Sequence, residues 1–207
     1  VCRKTSRGKI FTDRKTKRRG GRGMMEETKK EKRRYRWPWG VAVCFIAALR
    51  LFVFSNYMVE GKSMMPTLQS GNLLIVNKLR YEIGSIHRFD IVVFHANQKQ
   101  DYVKRVIGLP GDRIEYKNDI LYINGQKVNE PYLRPYKKKL ISGKLTGDFT
   151  LEEVTGEKRV PAGYIFVLGD NRLGSWDSRH FGFVKISQVV GKVDLRYWPF
   201  EQFAFRF

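Results

Sequence analysis

The feature that most constrains the fold is a series of short segments between residues 72 and 198 that are rich in Val, Ile, Tyr and Phe. Each segment has the length of a strand, and no helical period longer than about two turns is visible among them. Asn124-Gly125 is the favoured two-residue hairpin turn. The segments are NLLIVNKL, FDIVVFH, DYVKRVIGL, DRIEY, ILYING, YIFVLGD and VVGKVDLRYW. This pattern predicts a mostly β, antiparallel domain.

Residues 129–158 differ from these segments because they are polar, charged and contain several glycines. Such a composition is typical of a loop that interrupts a domain. We therefore expect an inserted loop or small subdomain here.

Length and cysteine content limit how the domain is stabilised. A chain of 207 residues is long enough for one moderate domain with appendages. The two cysteines, Cys2 and Cys44, build neither a disulfide framework nor a Cys-based metal site. The β domain must therefore be stable through its core alone.

Positive charge is concentrated at the start of the chain. The formal net charge is +20, and residues 1–36 contain 16 Lys and Arg against four acids. Such a balance indicates either nucleic acid or an anionic membrane surface as a partner. We interpret residues 1–36 as a basic cytoplasmic arm because an apolar run comes directly after them.

The apolar run Trp37–Phe54 contains one charge, Arg50. As a helix its 18 residues would span about 27 Å, close to the hydrocarbon core of a bilayer. Trp37 and Trp39 suit the interface, and the preceding KKEKRRYR favours a cytoplasmic N-terminus. We predict a transmembrane anchor at 37–56 and an extracytoplasmic domain at 57–207. A buried helix or strand is the alternative; a cleaved signal peptide fits less well because no small-residue cleavage site comes after the run.

The chain begins with Val1, and RRGGRG precedes the paired Met24 and Met25. Purine-rich codons for Arg and Gly resemble a bacterial ribosome-binding site. We therefore expect that residues 1–23 are not native and that translation starts at Met24 or Met25, which the mass of the native N-terminal peptide tests.

The residues that could support catalysis are limited. His87, His95 and His180 lack metal-ligand spacing, so no metal site is expected, and the chain has no GxSxG elbow. Lysine is then the available base. Strand alternation in DYVKRVIGLPGD places Lys104 and Arg105 on opposite faces.

Whichever face of this strand is covered must bury a cation. Burial lowers the pKa of a lysine because it penalises the charged form, whereas arginine stays protonated. Lys104 could therefore become a neutral base for Ser63 in MVEGKSMMPTLQSG, as in Ser-Lys nucleophilic catalysis. The alternatives are a solvated strand lysine and a serine in a surface turn.

Four segments resemble, in order, the sequence boxes of bacterial type I signal peptidases: Ser63–Leu68, Phe89–Phe94, Asp101–Asp112 and Gly169–Gly182. With the apolar run the resemblance covers roughly Trp37–Phe200. The single apolar run and the short insert are similar to the Gram-positive form of the family.

The resemblance implies a membrane-anchored serine endopeptidase that removes signal peptides from exported preproteins and uses no cofactor. Ser63 would be the nucleophile, Lys104 the general base, and Ser175 the residue that orients the lysine amine. The backbone N–H of Ser63 would donate to the oxyanion. Gly61 stands where some members have a serine as second donor, so that donor stays open. Further residues would shape the site: Asp170, Asn171, Asp177 and Arg179, the last two as a structural ion pair.

Signal peptides carry small residues in an A-x-A pattern before the cleavage site. An extended peptide can add to a sheet edge, so that alternate side chains enter pockets. We expect Ser63 to come directly after such an edge strand. The resemblance places these residues around the pockets, with Met64 and Leu68 equally compatible with the core: Val59, Gly61, Met64, Leu68, Tyr102 and Val103.

Two other functions stay open at this point. A nucleic-acid-binding protein would explain the basic arm but not the four segments, so we expect lipids and preproteins as partners, and no nucleic acid. A self-cleaving Ser-Lys repressor of the SOS type has a similar catalytic fold, but it needs an N-terminal helix-turn-helix domain where this chain has an apolar run.

Overall fold

The computed structural model describes residues 39–46, 53–78, 86–98 and 100–205. The chain divides into two compact units, residues 1–47 and 48–207. In the first, residues 39–46 are helical and exposed. None of the helices within the described ranges is long and apolar enough to cross a bilayer. The basic arm 1–36 and residues 37–38 and 47–52 of the predicted anchor lie outside the described residues.

The second unit contains a larger antiparallel sheet with the strand order β1-β2-β11-β3-β4-β9-β10, and β12 pairs with β11. β1 lies at its edge, as expected for the strand before Ser63. The strands are β1 Phe54–Met58, β2 Leu73–Asn77, β3 Ile91–His95, β4 Asp101–Gly108, β9 Tyr164–Leu168, β10 Val184–Lys185, β11 Val189–Trp198 and β12 Ala204–Phe205.

A smaller antiparallel sheet has the order β7-β6-β5-β8. Its strands are β5 Ile114–Lys117, β6 Ile120–Ile123, β7 Gln126–Val128 and β8 Phe149–Thr150. Asn124 and Gly125 join β6 to β7 with φ of 52° and 81°, the two positive values that the predicted hairpin turn requires. All seven predicted segments contain a strand, so the β prediction is confirmed.

Segment 129–158, which we predict to be an inserted loop or small subdomain, contributes one strand to the smaller sheet. It supplies β8, which pairs with β5, and buries Leu133, Leu145 and Leu151. Most residues of this segment are polar, so its composition does not reveal these widely spaced buried leucines. Within its described residues the second unit has the α-helices Arg134–Lys139, Leu151–Thr155 and Ser178–Phe181, and the 3-10 helices Pro131–Leu133, Arg172–Gly174, Ile186–Gln188 and Phe200–Gln202.

The start of the domain lies earlier than predicted. Phe54, Ser55 and Asn56 pair with Asn77, Val76 and Ile75 of β2, so these residues of the predicted anchor 37–56 belong to the larger sheet. The apolar run extends to Phe54, the first residue of β1, so hydropathy does not mark where the strand begins.

Buried side chains form a core beneath the segment that carries Ser63. Val59, Met64 and Leu68 pack with residues of β2, β3 and β11, such as Leu74 and Val93. A second cluster joins the two sheets through residues such as Ile114 and Phe166. The Ser63 segment therefore rests on a packed surface, which limits its movement.

Candidate active site

Ser63 lies in the segment between β1 and β2. Hydrogen bonds from Val59 N to Asn72 O and from Gly71 N to Val59 O, both 2.9 Å, close the base of this segment. Met64 and Leu68 are buried beneath it, with exposures of 2% and 0%. Because these apolar neighbours are buried in the core, Ser63 itself lies at the surface, where it is half-exposed.

Lys104 lies on β4, and its Nζ is 2.8 Å from Ser63 Oγ. The residue is 4% exposed. Desolvation by burial lowers its pKa from 10.5 to about 8, against the opposing influence of Asp177 and Asp170. The amine can therefore be neutral at mildly alkaline pH while it is within hydrogen-bond distance of the serine hydroxyl.

Arg105, on the other face of β4, is also buried, with an exposure of 1%. The sequence pattern left open which face would be covered, and the structure covers both. The buried positive charge of Arg105 is compensated because its Nε and Nη2 donate to the carboxylate of Asp170 at 2.8 and 2.7 Å. Its Nη1 also donates to Phe89 O at 2.9 Å.

The segment after β9 holds Ser63 through the backbone. Asn171 N donates to Ser63 O at 3.0 Å, and Asn171 Nδ2 donates to Lys62 O at 3.1 Å. A Cβ at Gly169 would lie 2.6 Å from Ser63 O and 2.1 Å from Ser175 Oγ, so only glycine permits this approach. Asp170 reaches the same region, where Thr67 Oγ1 donates to its Oδ2 at 2.5 Å.

Ser175 lies within this closely packed region and is buried. Its hydroxyl makes no hydrogen bond that meets strict geometry with any described residue, but it lies close enough to the Asp177 carboxylate to help lower the pKa of Asp177. The predicted bond to the Lys104 amine is not formed in this structure. The nearness of Ser175 to Gly169 nevertheless brings it beside the backbone of Ser63. The orienting role of Ser175 stays a prediction.

Asp177 and Arg179 form the ion pair that was expected. Arg179 donates from Nε to Oδ1 and from Nη2 to Oδ2, both at 2.9 Å, and Gly169 N donates to Oδ2 at 3.0 Å. Burial acts to raise the pKa of Asp177, but the hydrogen bond and charge of Arg179, together with hydrogen bonds from Gly169 N and Ser175, outweigh burial, and the pKa is lowered. The ionised carboxylate then stabilises the turn that carries Ser175.

A cleft of about 460 Å³ surrounds the pair Ser63 and Lys104. Of the predicted pocket residues, five line it: Val59, Gly61, Met64, Tyr102 and Val103. Leu68 lies in the core below and does not line the cleft. The structure thus brings Ser63, Lys104 and most of the predicted pocket residues together.

Several cleft residues were not found from the sequence. Tyr57 OH donates to Asp101 Oδ2 at 3.0 Å, which links the edge strand β1 to β4 across the cleft. Trp176 also lines the cleft, although 61% of the residue is exposed. A tryptophan between two predicted site residues, Ser175 and Asp177, was the signal available for it.

Arg172 is another residue that sequence reasoning missed. It is fully enclosed, and its Nη2 donates to Glu130 Oε1 at 2.5 Å while its Nε donates to Gly169 O at 3.1 Å. Nη1 donates to Thr146 Oγ1 at 2.8 Å. Arg172 therefore ties the segment after β9 to residues 129–158, a link that composition alone does not reveal.

Comparisons with known proteins show the family. Residues 33–198 match the family model described as "Signal peptidase, peptidase S26". Signal peptidase I of Bacillus caldolyticus is 82% identical over 86% of this chain and 98% of its own length. Signal peptidase IB of Staphylococcus aureus strain MRSA252 is 44% identical over 83% of this chain and 93% of its own length.

A solved structure supports the same relationship. The crystal structure of a signal peptidase I from Enterococcus faecalis V583 is 48% identical, with a TM-score of 0.51 over 54% of this chain and 98% of that chain. All three organisms are Gram-positive, in agreement with the form of the family inferred from the short insert. The chain therefore belongs to peptidase family S26, the signal peptidases, and is a serine peptidase of the signal peptidase I type.

Proposed function

We propose that the protein is a membrane-bound serine endopeptidase that cleaves signal peptides from exported preproteins after an A-x-A site, with Ser63 and Lys104 as its catalytic dyad. The observation that carries this proposal is the 2.8 Å distance between Lys104 Nζ and Ser63 Oγ, together with the burial of the amine. Family membership supports the substrate class.

Each step of the reaction has a residue to perform it. Neutral Lys104 accepts the Ser63 hydroxyl proton while Oγ attacks the scissile carbonyl carbon. The Ser63 backbone N–H donates to the resulting oxyanion. Lys104 then gives its proton to the leaving amine, the C–N bond breaks, and an acyl-enzyme remains. A water that Lys104 deprotonates hydrolyses the ester and returns Ser63 to its hydroxyl form.

The strand edges explain how the substrate is held. β1 is an edge strand, and β9 pairs with β4 only from Arg105 onward. Residues Asp101 to Lys104 of β4 therefore have one free edge, next to the cleft. An extended peptide can pair with these edges, and alternate side chains then point into the cleft. Val59 and Met64 fill the space beneath, which favours small side chains.

The membrane attachment in this proposal depends on the basic arm and the apolar run. They anchor the protein with a cytoplasmic N-terminus and an extracytoplasmic catalytic domain, and they bring the cleft close to substrates that are themselves inserted in the membrane. Retention in membranes after a high-salt wash tests this arrangement. Release by salt with retention on DNA would instead favour nucleic-acid binding.

The direct test is cleavage of a preprotein with one A-x-A site by the purified, detergent-solubilised full chain. We expect a single cut immediately after the second alanine, because only small side chains fit the cleft at alternate positions. Mass spectrometry of both products locates the cut. Cleavage at another position, or none by folded protein, would refute the proposal.

Activity should depend on the protonation of Lys104. Only the neutral amine accepts the serine proton, so kcat/KM should rise tenfold per pH unit below its pKa of about 8 and level off above it. The profile is measured with a peptide that has no group titrating in that range. A flat profile from about two pH units below this pKa to about one unit above it contradicts the role of Lys104.

A further inference from the structure

A hydrogen bond joins the two sides of the cleft at the end away from Lys104. The hydroxyl of Tyr57 donates to Asp101 Oδ2 at 3.0 Å, and both residues line the cleft. Asp101 begins β4 and Lys104 is the fourth residue of that strand, a separation of about 10 Å along a strand. We call this hydrogen bond the Tyr57–Asp101 bridge. It therefore connects β1 to β4 well away from the reacting atoms.

The bridge connects two strands that are not neighbours in the larger sheet. In the order of that sheet, β2, β11 and β3 lie between β1 and β4, so the sheet curves until β1 and β4 face each other across the cleft. Among the described strands, β1 pairs only with β2. The first four residues of β4 pair with β3, and β9 reaches β4 only from Arg105 onward. Each side of the cleft therefore has a strand edge that is free to pair with a peptide.

A peptide that pairs with both edges requires them to lie at a fixed separation. Neighbouring strands lie about 4.8 Å apart, so two edges with one peptide strand between them must lie about 9.6 Å apart. Backbone hydrogen bonds weaken steeply when the donor and the acceptor lose their alignment. A direct connection between β1 and β4 controls this separation better than a path through three intervening strands, because each of those strands can twist relative to the next.

Both ends of the bridge are themselves held in place. The Tyr57 side chain packs against the buried cluster beneath Ser63. The other carboxylate oxygen, Asp101 Oδ1, lies 2.6 Å from Nδ1 of His95, which is the partner of Asp101 on β3. Burial and the Asp101 carboxylate raise the pKa of Tyr57 to about 12. The hydroxyl therefore remains a donor at neutral and mildly alkaline pH.

We propose that Tyr57 and Asp101 are positioning residues, whose hydrogen bond sets the distance between β1 and β4 and so prepares both strand edges to pair with the substrate peptide. This inference rests on the proposed function, since that function places the peptide in the cleft. The bridge lies about 10 Å along β4 from Lys104, too far to take part in proton transfer. Its loss should therefore weaken peptide binding and leave the chemical step unchanged.

Tyr57→Phe tests this inference, because it removes the hydroxyl and keeps the ring that packs against the core. With an A-x-A peptide we expect KM to rise about 3- to 10-fold, the scale of one net hydrogen bond, while kcat stays within about twofold. The midpoint of the pH profile of kcat should not move, because the surroundings of Lys104 are unchanged. In a Ser63→Ala background, where binding is measured without cleavage, the Kd of the same peptide should rise by the same factor.

Tyr122→Phe is the matched control. Tyr122 lies on β6 of the smaller sheet and does not line the cleft, and the substitution removes the same hydroxyl group. It should leave both KM and kcat within about twofold of the wild-type values.

A double-mutant cycle separates the bridge from independent contacts of each residue with the peptide. Asp101→Ala should also raise KM, because it removes the acceptor of the Tyr57 hydroxyl. Once the bridge is broken in this way, the further change Tyr57→Phe should alter KM by less than about twofold. If the two effects multiply instead, the residues act on the peptide separately and the inference is overturned.

The outcomes distinguish this inference from the proposed function. An unchanged or lower KM in Tyr57→Phe, or a loss that appears in kcat alone, overturns the inference and leaves the peptidase function in place. An equal rise of KM in Tyr122→Phe also overturns it. If folded wild-type protein cleaves no A-x-A peptide, the proposed function fails and this inference fails with it.

Discussion

Replacing Ser63 by alanine or Lys104 by methionine is expected to reduce signal-peptide cleavage by at least about 10⁴-fold, the scale of losing a nucleophile or its base. The first change removes the attacking oxygen. The second keeps the length and packing of the buried side chain but removes the proton acceptor that lies 2.8 Å from Ser63 Oγ. Cleavage rates are measured with the preprotein and with a short peptide that contains the same cleavage site.

Folding controls keep this result interpretable. Lys104→Met removes a buried amine, so we expect it to unfold at a temperature no lower than that of the wild type. In the wild type the folded pKa of about 8 lies below the ordinary 10.5. The unfolded state therefore binds more protons between these values, and stability rises with pH across that window. Lys104→Met should lose this dependence. Substantial cleavage by the folded variant would overturn the dyad.

Ser175→Ala, measured in the same experiment, should reduce cleavage much less than Ser63→Ala or Lys104→Met. We expect a loss of about 3- to 10-fold, the scale of one net hydrogen bond, because this hydroxyl is proposed to orient the lysine amine and not to react. A steeper loss, equal to that of Lys104→Met, would show that Ser175 acts in the chemistry itself.

Replacing Asp170 by alanine is expected to lower the free energy of unfolding by about 3–5 kcal/mol, the range found when one partner of a buried ion pair is removed. Arg105 and Asp170 are each 1% exposed by side chain, so the variant leaves a guanidinium buried without its counter-charge. The loss is measured by chemical denaturation of the detergent-solubilised chain, monitored by intrinsic fluorescence.

Two further variants separate the effect of the buried charge from that of losing any ion pair. The double variant Arg105→Met/Asp170→Leu removes both charges and should recover a large part of the lost stability. Glu152→Ala breaks an exposed pair with Lys158, separated by 4.0 Å, and should cost less than about 1 kcal/mol. If Asp170→Ala costs no more than Glu152→Ala, the buried pair does not stabilise the fold as argued.

The sequence was most informative where a local pattern decides the structure. Strand-length segments rich in Val, Ile, Tyr and Phe predicted the seven strands because β-branched and aromatic side chains favour strands. The hairpin at Asn124-Gly125 was predictable from the positive φ values that these residues tolerate. The sequence was least informative at Phe54–Asn56 and in segment 129–158, where an apolar run and a polar stretch each concealed residues of a sheet.

For the site, the motifs identified Ser63 and Lys104, and they also marked Asp177 and Arg179 as an ion pair. They did not identify Trp176, Arg172 or the Arg105–Asp170 pair. Leu68 shows the same limit. The motif predicted that it lies beside a pocket, but in the structure it packs in the core. A motif states which residues occur together but not which of them is covered by the rest of the chain.

The amino-acid sequence by itself thus determined the family, the strands and the two residues of the proposed dyad. Only the tertiary structure decided that residues 41 positions apart lie 2.8 Å from each other, that both faces of β4 are buried, and that Trp176 lines the cleft. The reason is that alternation assigns a side chain to a face, whereas burial, and with it the pKa of Lys104, depends on which distant segments pack against that face.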